Sequence, residues 1–279
     1  MKRIFLSVLT IMPLLAIAST PEAASGDHVK VSLISEQSAF VPGTTSWIGV
    51  RLTHDPHWHT YWINPGDSGL PTKLTWRLPE GFGVSDVSWP APTRIAVGDI
   101  ANFGYTGDIV LPVQVAVPSD AQEASTVHVA VDAKWLVCRE ECIPGSASLS
   151  LDLPVHAITA NNTVTEKFFD AARASTPRAA TWSGSAHVNG NTVDVVLHDT
   201  HLTNGQVVDA FAIDRKIVTN ASPKVAYHPE DIDLTFKKSE YFEAVPAQFN
   251  LLVRSSDGTN ARTWRVTVPF DAVATPVSK

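Results

Sequence analysis

The sequence is poor in sulfur: its 279 residues include 2 Cys and 2 Met. It also lacks a basic run. Lys+Arg is 21 against 28 Asp+Glu, a net charge of -7. Phosphate binding needs clustered cations, so nucleic acid is excluded as a partner on these grounds. No Ser/His/Asp order, Gly-rich phosphate loop or H-E-x-x-H segment is present, which argues against hydrolase and nucleotide-binding roles. Internal repeats and low-complexity segments are missing too. Wholesale disorder is ruled out by what is there, a 44% hydrophobic content able to build a core.

Long hydrophobic runs are confined to the N-terminus. Lys2 and Arg3 precede an apolar stretch from Ile4 to Ala18, and Ala16-Ile17-Ala18 supplies small residues at the exit. This pattern predicts a signal peptide over 1–18, with the cleavage point between 18 and 25. The stretch is shorter than the ~20 residues a spanning helix needs. The mature chain is expected to be exported, soluble after signal removal, and in a compartment that permits disulfides.

The remainder reads as all-β. His28–Ile34, Trp47–Leu52, Ile109–Val115, Val127–Ala133 and Ser148–Leu153 alternate apolar and polar residues, as half-buried strands do. Clusters such as Asn64-Pro-Gly-Asp67, Leu78-Pro-Glu-Gly81 and Trp89-Pro-Ala-Pro92 punctuate them as turns. Thr163–Ser175 departs from this pattern. Val164, Phe168, Ala171 and Ala172 recur at near-helical spacing, and Pro177 ends the run. Alternation resumes at Thr192–Leu197, Ile232–Phe236, Phe249–Val253 and Thr263–Val268. The expected architecture is two immunoglobulin-like β-sandwiches, over 27–156 and 179–273, joined by a linker with a short helix over 157–178.

Cys138 and Cys142 lie in Trp135-Leu-Val-Cys-Arg-Glu-Glu-Cys-Ile-Pro144. In an exported chain such a pair is expected to join across a turn. Closing a loop of about five residues stabilises by only about 2 kcal/mol on loop-entropy grounds, so the pair is a weak staple. Redox exchange is favoured, with a structural staple and metal binding as the alternatives. Arg139 would favour a thiolate while Glu140 and Glu141 would oppose it, so the net effect is not legible from sequence. His54, His57 and His59 beside Asp55 are weak metal candidates. His57 and His59 would share one strand face, and thiolates nearby would suit Cu(I).

Several stretches carry a family resemblance: His57-Trp-His-Thr-Tyr-Trp62, Asn64-Pro-Gly-Asp-Ser-Gly69, Trp89-Pro-Ala-Pro92, Asn102-Phe-Gly-Tyr-Thr-Gly107, Leu111-Pro-Val113 and the cysteine segment itself. In this order they resemble the N-terminal periplasmic domain of the thiol:disulfide interchange protein DsbD, and more closely its ScsB (suppressor of copper sensitivity) relatives. Residues 178–272 resemble the second immunoglobulin-like domain of the ScsB type more weakly. The resemblance implies a periplasmic thiol–disulfide exchange protein and no cofactor. Its implied partners are a membrane electron-transfer protein as donor and oxidised thioredoxin-like or disulfide-bearing periplasmic proteins as acceptors. It assigns Cys142 as the attacked sulfur and Cys138 as the resolving one. A family cap aromatic maps to Phe103, with Tyr105 beside it, and Tyr61 and Trp62 in the same aromatic neighbourhood. The cysteines are closer together than in the best-known members. No multi-helix or thioredoxin-like domain follows in this sequence, so a separate membrane donor, a free-standing shuttle role or loss of redox function is expected. Copper binding or copper tolerance, and a non-catalytic interaction module with a structural disulfide, are the alternative readings.

Overall fold

The computed structural model describes residues 23–204, 206–256 and 260–271. The predicted signal peptide over 1–18, part of its cleavage region, and the end of the chain lie outside them. Among the described residues no helix is long and apolar enough to cross a membrane.

Eleven strands precede the helix. They are β1 (Ala23–Gly26), β2 (Val29–Ser35), β3 (Thr45–His54), β4 (Thr60–Gly66), β5 (Lys73–Arg77), β6 (Gly83–Val84), β7 (Thr93–Val97), β8 (Ile100–Tyr105), β9 (Asp108–Ala116), β10 (Thr126–Cys138) and β11 (Cys142–Pro154). Helix α1 (Glu166–Ser175) follows. Then come β12 (Arg178–Ala179), β13 (Ser183–Asn189), β14 (Thr192–His198), β15 (Val207–Ala212), β16 (Lys224–Tyr227), β17 (Ile232–Lys237), β18 (Gln248–Ser256) and β19 (Ala261–Pro269).

The first sandwich packs sheet β1-β2-β3-β9-β6 against sheet β11-β10-β5. Period-two alternation directs the packing. Along β10, Val127, Val129, Val131, Ala133, Trp135 and Val137 are all buried. They meet Val31, Leu33, Val50, Leu52, Leu111 and Val113 from the facing sheet in one core. The second sandwich packs β12-β19-β18-β15 against β13-β14-β17-β16 around its own core, with Val193, Val195, Leu234, Phe236, Phe249 and Val268 at its centre.

Three features depart from the sequence reading. The segment Asn64-Pro-Gly, expected as a turn, is the end of β4, which pairs irregularly with β8. Sheet β4-β8-β7 is a third layer that alternation did not reveal. Its strands are short, and the side chains of Asn64 and Arg94 on it bond to the second sandwich. The helix also faces differently. Phe169 and Ala172 are its buried residues, whereas Val164 lies before it and is 70% exposed. It seats on the outer face of the first sandwich, where Phe169 and Ala172 meet Ile34 and Val110. Arg173 pairs with the buried Glu36 at 2.6 Å.

The two sandwiches share an interface built from that third layer. Phe211 and Leu252 of the second sandwich belong to the apolar core of the first. Phe103 meets Phe211 edge-on at 5.2 Å. The Arg94 guanidinium lies over both rings and donates to both carboxylate oxygens of Asp209 and to the Ala210 carbonyl. The Asn64 side-chain amide donates to the Ala212 carbonyl at 2.8 Å, and that of Asn220 to Asp67 at 2.8 Å.

Candidate functional site

The cysteines occupy the tip of the β10–β11 hairpin. The pairing is in register over thirteen residue pairs and ends at Cys138↔Cys142. Both backbone groups of Cys138 bond to His59 on β10's other edge, N–H to O and O to N–H at 2.9 Å each. Cys138 and Cys142 therefore face each other as a non-hydrogen-bonded antiparallel pair, the arrangement in which opposite Cα atoms come closest. Their Cα atoms are 4.2 Å apart and the sulfurs are bonded. Arg139, Glu140 and Glu141 close the turn, with the Arg139 amide donating to the Glu141 carbonyl.

The two halves of the disulfide sit in different environments. Cys138 is 3% exposed although alternation turns it to the face opposite the inward row of β10, where His59 and Tyr61 cover it, whereas Cys142 opens the exposed end of β11. On the sheet side the site is walled by β4. The Tyr61 hydroxyl lies 3.4 Å from the Cys142 sulfur. Its ring is fully buried and meets the His59 imidazole edge-on at 5.1 Å. Burial holds the Tyr61 hydroxyl above its ordinary pKa, so it remains a proton donor at neutral pH. Gly69 makes this placement possible. Its φ is +87°, and a Cβ there would fall 2.2 Å from the Tyr61 ring. Trp58, stacked on His28 at 3.8 Å, lies 5.8 Å from the Arg139 guanidinium and joins the turn to the body of the domain.

The aromatic residues singled out from sequence divide into two groups. Tyr61 touches the disulfide. Trp62 and Phe103 pack against each other at 6.4 Å, and Phe103 then contacts the second sandwich. Tyr105 is buried and donates its hydroxyl to the Pro90 carbonyl at 2.8 Å. Sequence reasoning ranked Tyr61 behind Phe103, as one of the residues matching an aromatic neighbourhood; its hydroxyl lies beside Cys142, 81 residues away in sequence. The period-two row Trp58, Thr60, Trp62 against His59, Tyr61 was the signal that β4 presents Tyr61 and His59 on one face.

The histidines also separate. His57 is in a turn with φ +71°, not on the strand face expected to carry it alongside His59. His54 is buried with both ring nitrogens engaged, Nδ1 with the Gly107 carbonyl at 2.8 Å and Nε2 with the Thr60 hydroxyl at 2.9 Å. His59 is buried, and its Nε2 has no partner among the described residues. Desolvation lowers the pKa of both, that of His59 to about 4, with the neighbouring His54 adding to the effect. Both imidazoles are therefore neutral at pH 7. Among the described residues no three His, Cys, Asp or Glu side chains are grouped to hold a metal ion.

These features define a class: a tandem β-sandwich protein with a disulfide at an exposed hairpin tip. Comparison with known proteins narrows it. Residues 30–154 match the family described as "Thiol:disulfide interchange protein DsbD, N-terminal", and this part of the chain belongs to the DsbD N-terminal domain family. Among solved structures, the N-terminal periplasmic domain of ScsB from Proteus mirabilis superposes with a TM-score of 0.64 at 17% identity. The match covers 88% of this chain and 97% of that one, so the tandem arrangement is common to both. A chimeric titin Z1Z2 carrying a decorin peptide is 12% identical, and titin Z1Z2 in complex with telethonin is 13% identical. Each covers 91% of this chain and 100% of its own, with TM-scores of 0.21 and 0.20, too low to carry weight. The curated proteins contain no significant match.

Proposed function

We propose that the protein is a periplasmic thiol–disulfide exchange protein. In this reading it accepts an electron pair from a membrane reductase and passes it to oxidised periplasmic proteins. The observation that carries the reading is the asymmetry of the pair: Cys142 is exposed and Cys138 is buried. A thiolate must approach in line with the S–S bond, so the sulfur open to solvent is the one attacked. Membership of the DsbD N-terminal family and the likeness to a periplasmic ScsB domain support the reaction type and the compartment.

The steps balance without a cofactor. A donor thiolate attacks the Cys142 sulfur, the donor–Cys142 bond forms, and Cys138 leaves as thiolate. The donor's second thiolate then attacks the donor sulfur and releases Cys142. The donor is now a disulfide and the pair is reduced by two electrons, with protons taken from solvent. In the second half, Cys142 thiolate attacks a substrate disulfide and expels one substrate thiolate. Cys138 thiolate then attacks Cys142, reforms the internal bond, and frees the second substrate thiol. Tyr61 donates its O–H to the Cys142 sulfur and favours the thiolate, as a hydrogen bond to the charged form does. In this reading Tyr61 is the aromatic residue that acts on the disulfide directly, and Phe103 acts at one remove through Trp62.

Trapping tests the assignment. Cys138→Ser, reacted in its reduced form with an oxidised protein substrate, should accumulate a mixed disulfide through Cys142. Cys142→Ser should accumulate at least tenfold less. Equal trapping by the two variants reverses the assignment, and a reduction potential below about −300 mV would mark the bond as a structural staple.

A further inference from the structure

Beside the disulfide hairpin, the edge of β10 is left uncovered at one residue. β5 pairs with β10 only as far as Lys73↔Lys134. β10 is next covered on that edge at the His59↔Cys138 bridge. Leu136 falls between. In an antiparallel ladder, alternate residues turn their backbone groups to the same edge. Cys138 bonds His59 across this edge through both its N–H and C=O. Leu136, two residues earlier, therefore turns its own N–H and C=O the same way, where no described strand is registered against it.

A cavity of about 1200 Å³ opens on this gap. Its walls include Ile63, Leu70, Leu74, Trp76, Trp89 and Trp135. Ile63 is 44% exposed and Leu70 59% exposed. A contiguous wet apolar surface of this kind marks an interaction site. The charged residues on the walls are three cations, Lys73, Lys134 and Arg265, and a single acid, Asp86. In a chain of net charge -7, this is a local reversal of sign. At ~3.3 Å per strand residue, Leu136 is about 7 Å along the strand from the Cys138↔Cys142 pair.

We propose that this groove receives an extended segment of the redox partner, one with apolar residues and acidic side chains close to the partner's reacting cysteine. The inference rests on the exchange reading and adds the substrate class to it. The single open N–H and C=O of Leu136 anchor the backbone of the segment without reading its sequence. Leu70 and Ile63, both exposed, take apolar side chains, and Lys73, Lys134 and Arg265 meet the acidic ones. The segment is thereby held with its cysteine at the hairpin tip, where Cys142 is exposed.

The test separates docking from exchange by removing the partner's sulfur. The probe is a fluorescein-labelled nine-residue peptide of alternating valine and threonine, with serine in place of cysteine at one end and glutamates at the fourth and sixth residues from it. A second peptide carries two lysines instead of the glutamates. The full-length protein should bind the glutamate peptide at least fivefold more tightly, read by anisotropy. Lys73→Glu with Lys134→Glu should invert that preference. Leu70→Glu, a change at an exposed position, should weaken the glutamate peptide about tenfold and keeps the proposal testable should the double variant fail to fold. Equal affinity for the two peptides, or a preference unmoved by the charge reversal, overturns the proposal. So does displacement of the peptide by dodecanoate at concentrations where unlabelled peptide does not compete, which would assign the groove to a lipid-like anion. The peptides hold no cysteine, so failure of the exchange reading shows in trapping by Cys138→Ser and leaves this measurement intact.

Discussion

The two sandwiches are built by the same rule and differ in what is attached to it. Each packs two sheets around one apolar core, with Val and Leu alternating inward. The second has no cysteine. In the first, β10 and β11 run on together until the pair Cys138↔Cys142 stands at an exposed tip, and a third sheet walls one side of that tip. The sandwich therefore supplies a base, and the disulfide sits on an extension of one hairpin. The second sandwich is not a passive neighbour, because Phe211 and Leu252 complete the first core from outside.

The largest test of that comparison is at the shared core. Phe211→Ala removes a fully buried ring from the first sandwich, although the residue belongs to the second. The expected cost is about 3–5 kcal/mol. Urea unfolding followed by tryptophan fluorescence reads it well, since Trp47, Trp58, Trp62, Trp76, Trp89 and Trp135 all precede the helix. A shift of the fluorescence transition shows that the two sandwiches are energetically joined. A shift confined to a later, separate transition would mean that each stands alone.

A smaller effect is expected from pH, and it falls on the first sandwich. His59 is buried and neutral, with its pKa lowered to about 4 against 6.5 for the free side chain. The unfolded chain binds a proton below about 6.5 and the folded chain does not until about 4. The stabilisation is therefore complete above pH 6.5 and is lost as pH falls towards 4. His54, lowered for the same reason, contributes in the same direction. The loss is on the order of 2 kcal/mol for the His59 contribution. Denaturation midpoints of the oxidised protein at pH 7 and pH 4.5 measure it, and His59→Gln should flatten the dependence. An unchanged slope would assign the pH response to other groups.

The smallest expected change sharpens the roles within the third sheet. Tyr61→Phe removes the hydroxyl beside Cys142 and should raise the pKa of that thiol by about one unit, or about 1.4 kcal/mol. Thiolate absorbance of the reduced Cys138→Ser protein reads this directly. Phe103→Ala, at the interface, should leave that pKa in place and lower stability instead. A thiol pKa that follows Phe103 and not Tyr61 would return the shielding role to Phe103.

The legible and illegible parts differ for physical reasons. β2, β3, β9, β10 and β11 were visible because each buries one face, so apolar residues alternate. The strands β14, β17, β18 and β19 followed the same rule. β4, β7 and β8 did not. Asn64-Pro-Gly carries turn residues, yet Asn64 is spent on a carbonyl of the second sandwich and Gly66 lies against the backbone of β8. Local propensity was overridden there by a partner about 150 residues away in sequence. The helix was legible in extent but not in orientation, because its buried side depends on Ile34 and Val110 beneath it. The cysteine pair was evident from spacing, whereas its asymmetry was not.

By itself the sequence determined the strand-rich class, the division into two cores, and the closeness of Cys138 to Cys142. These follow from short-range order: alternation sets which face is apolar, and three intervening residues allow two strands to turn. Tertiary structure alone decided which sulfur meets solvent, which aromatic ring lies against it, and that a phenylalanine of the second sandwich completes the first core. Each of those depends on atoms brought together across 81 residues or more. Only the packed chain sets such distances.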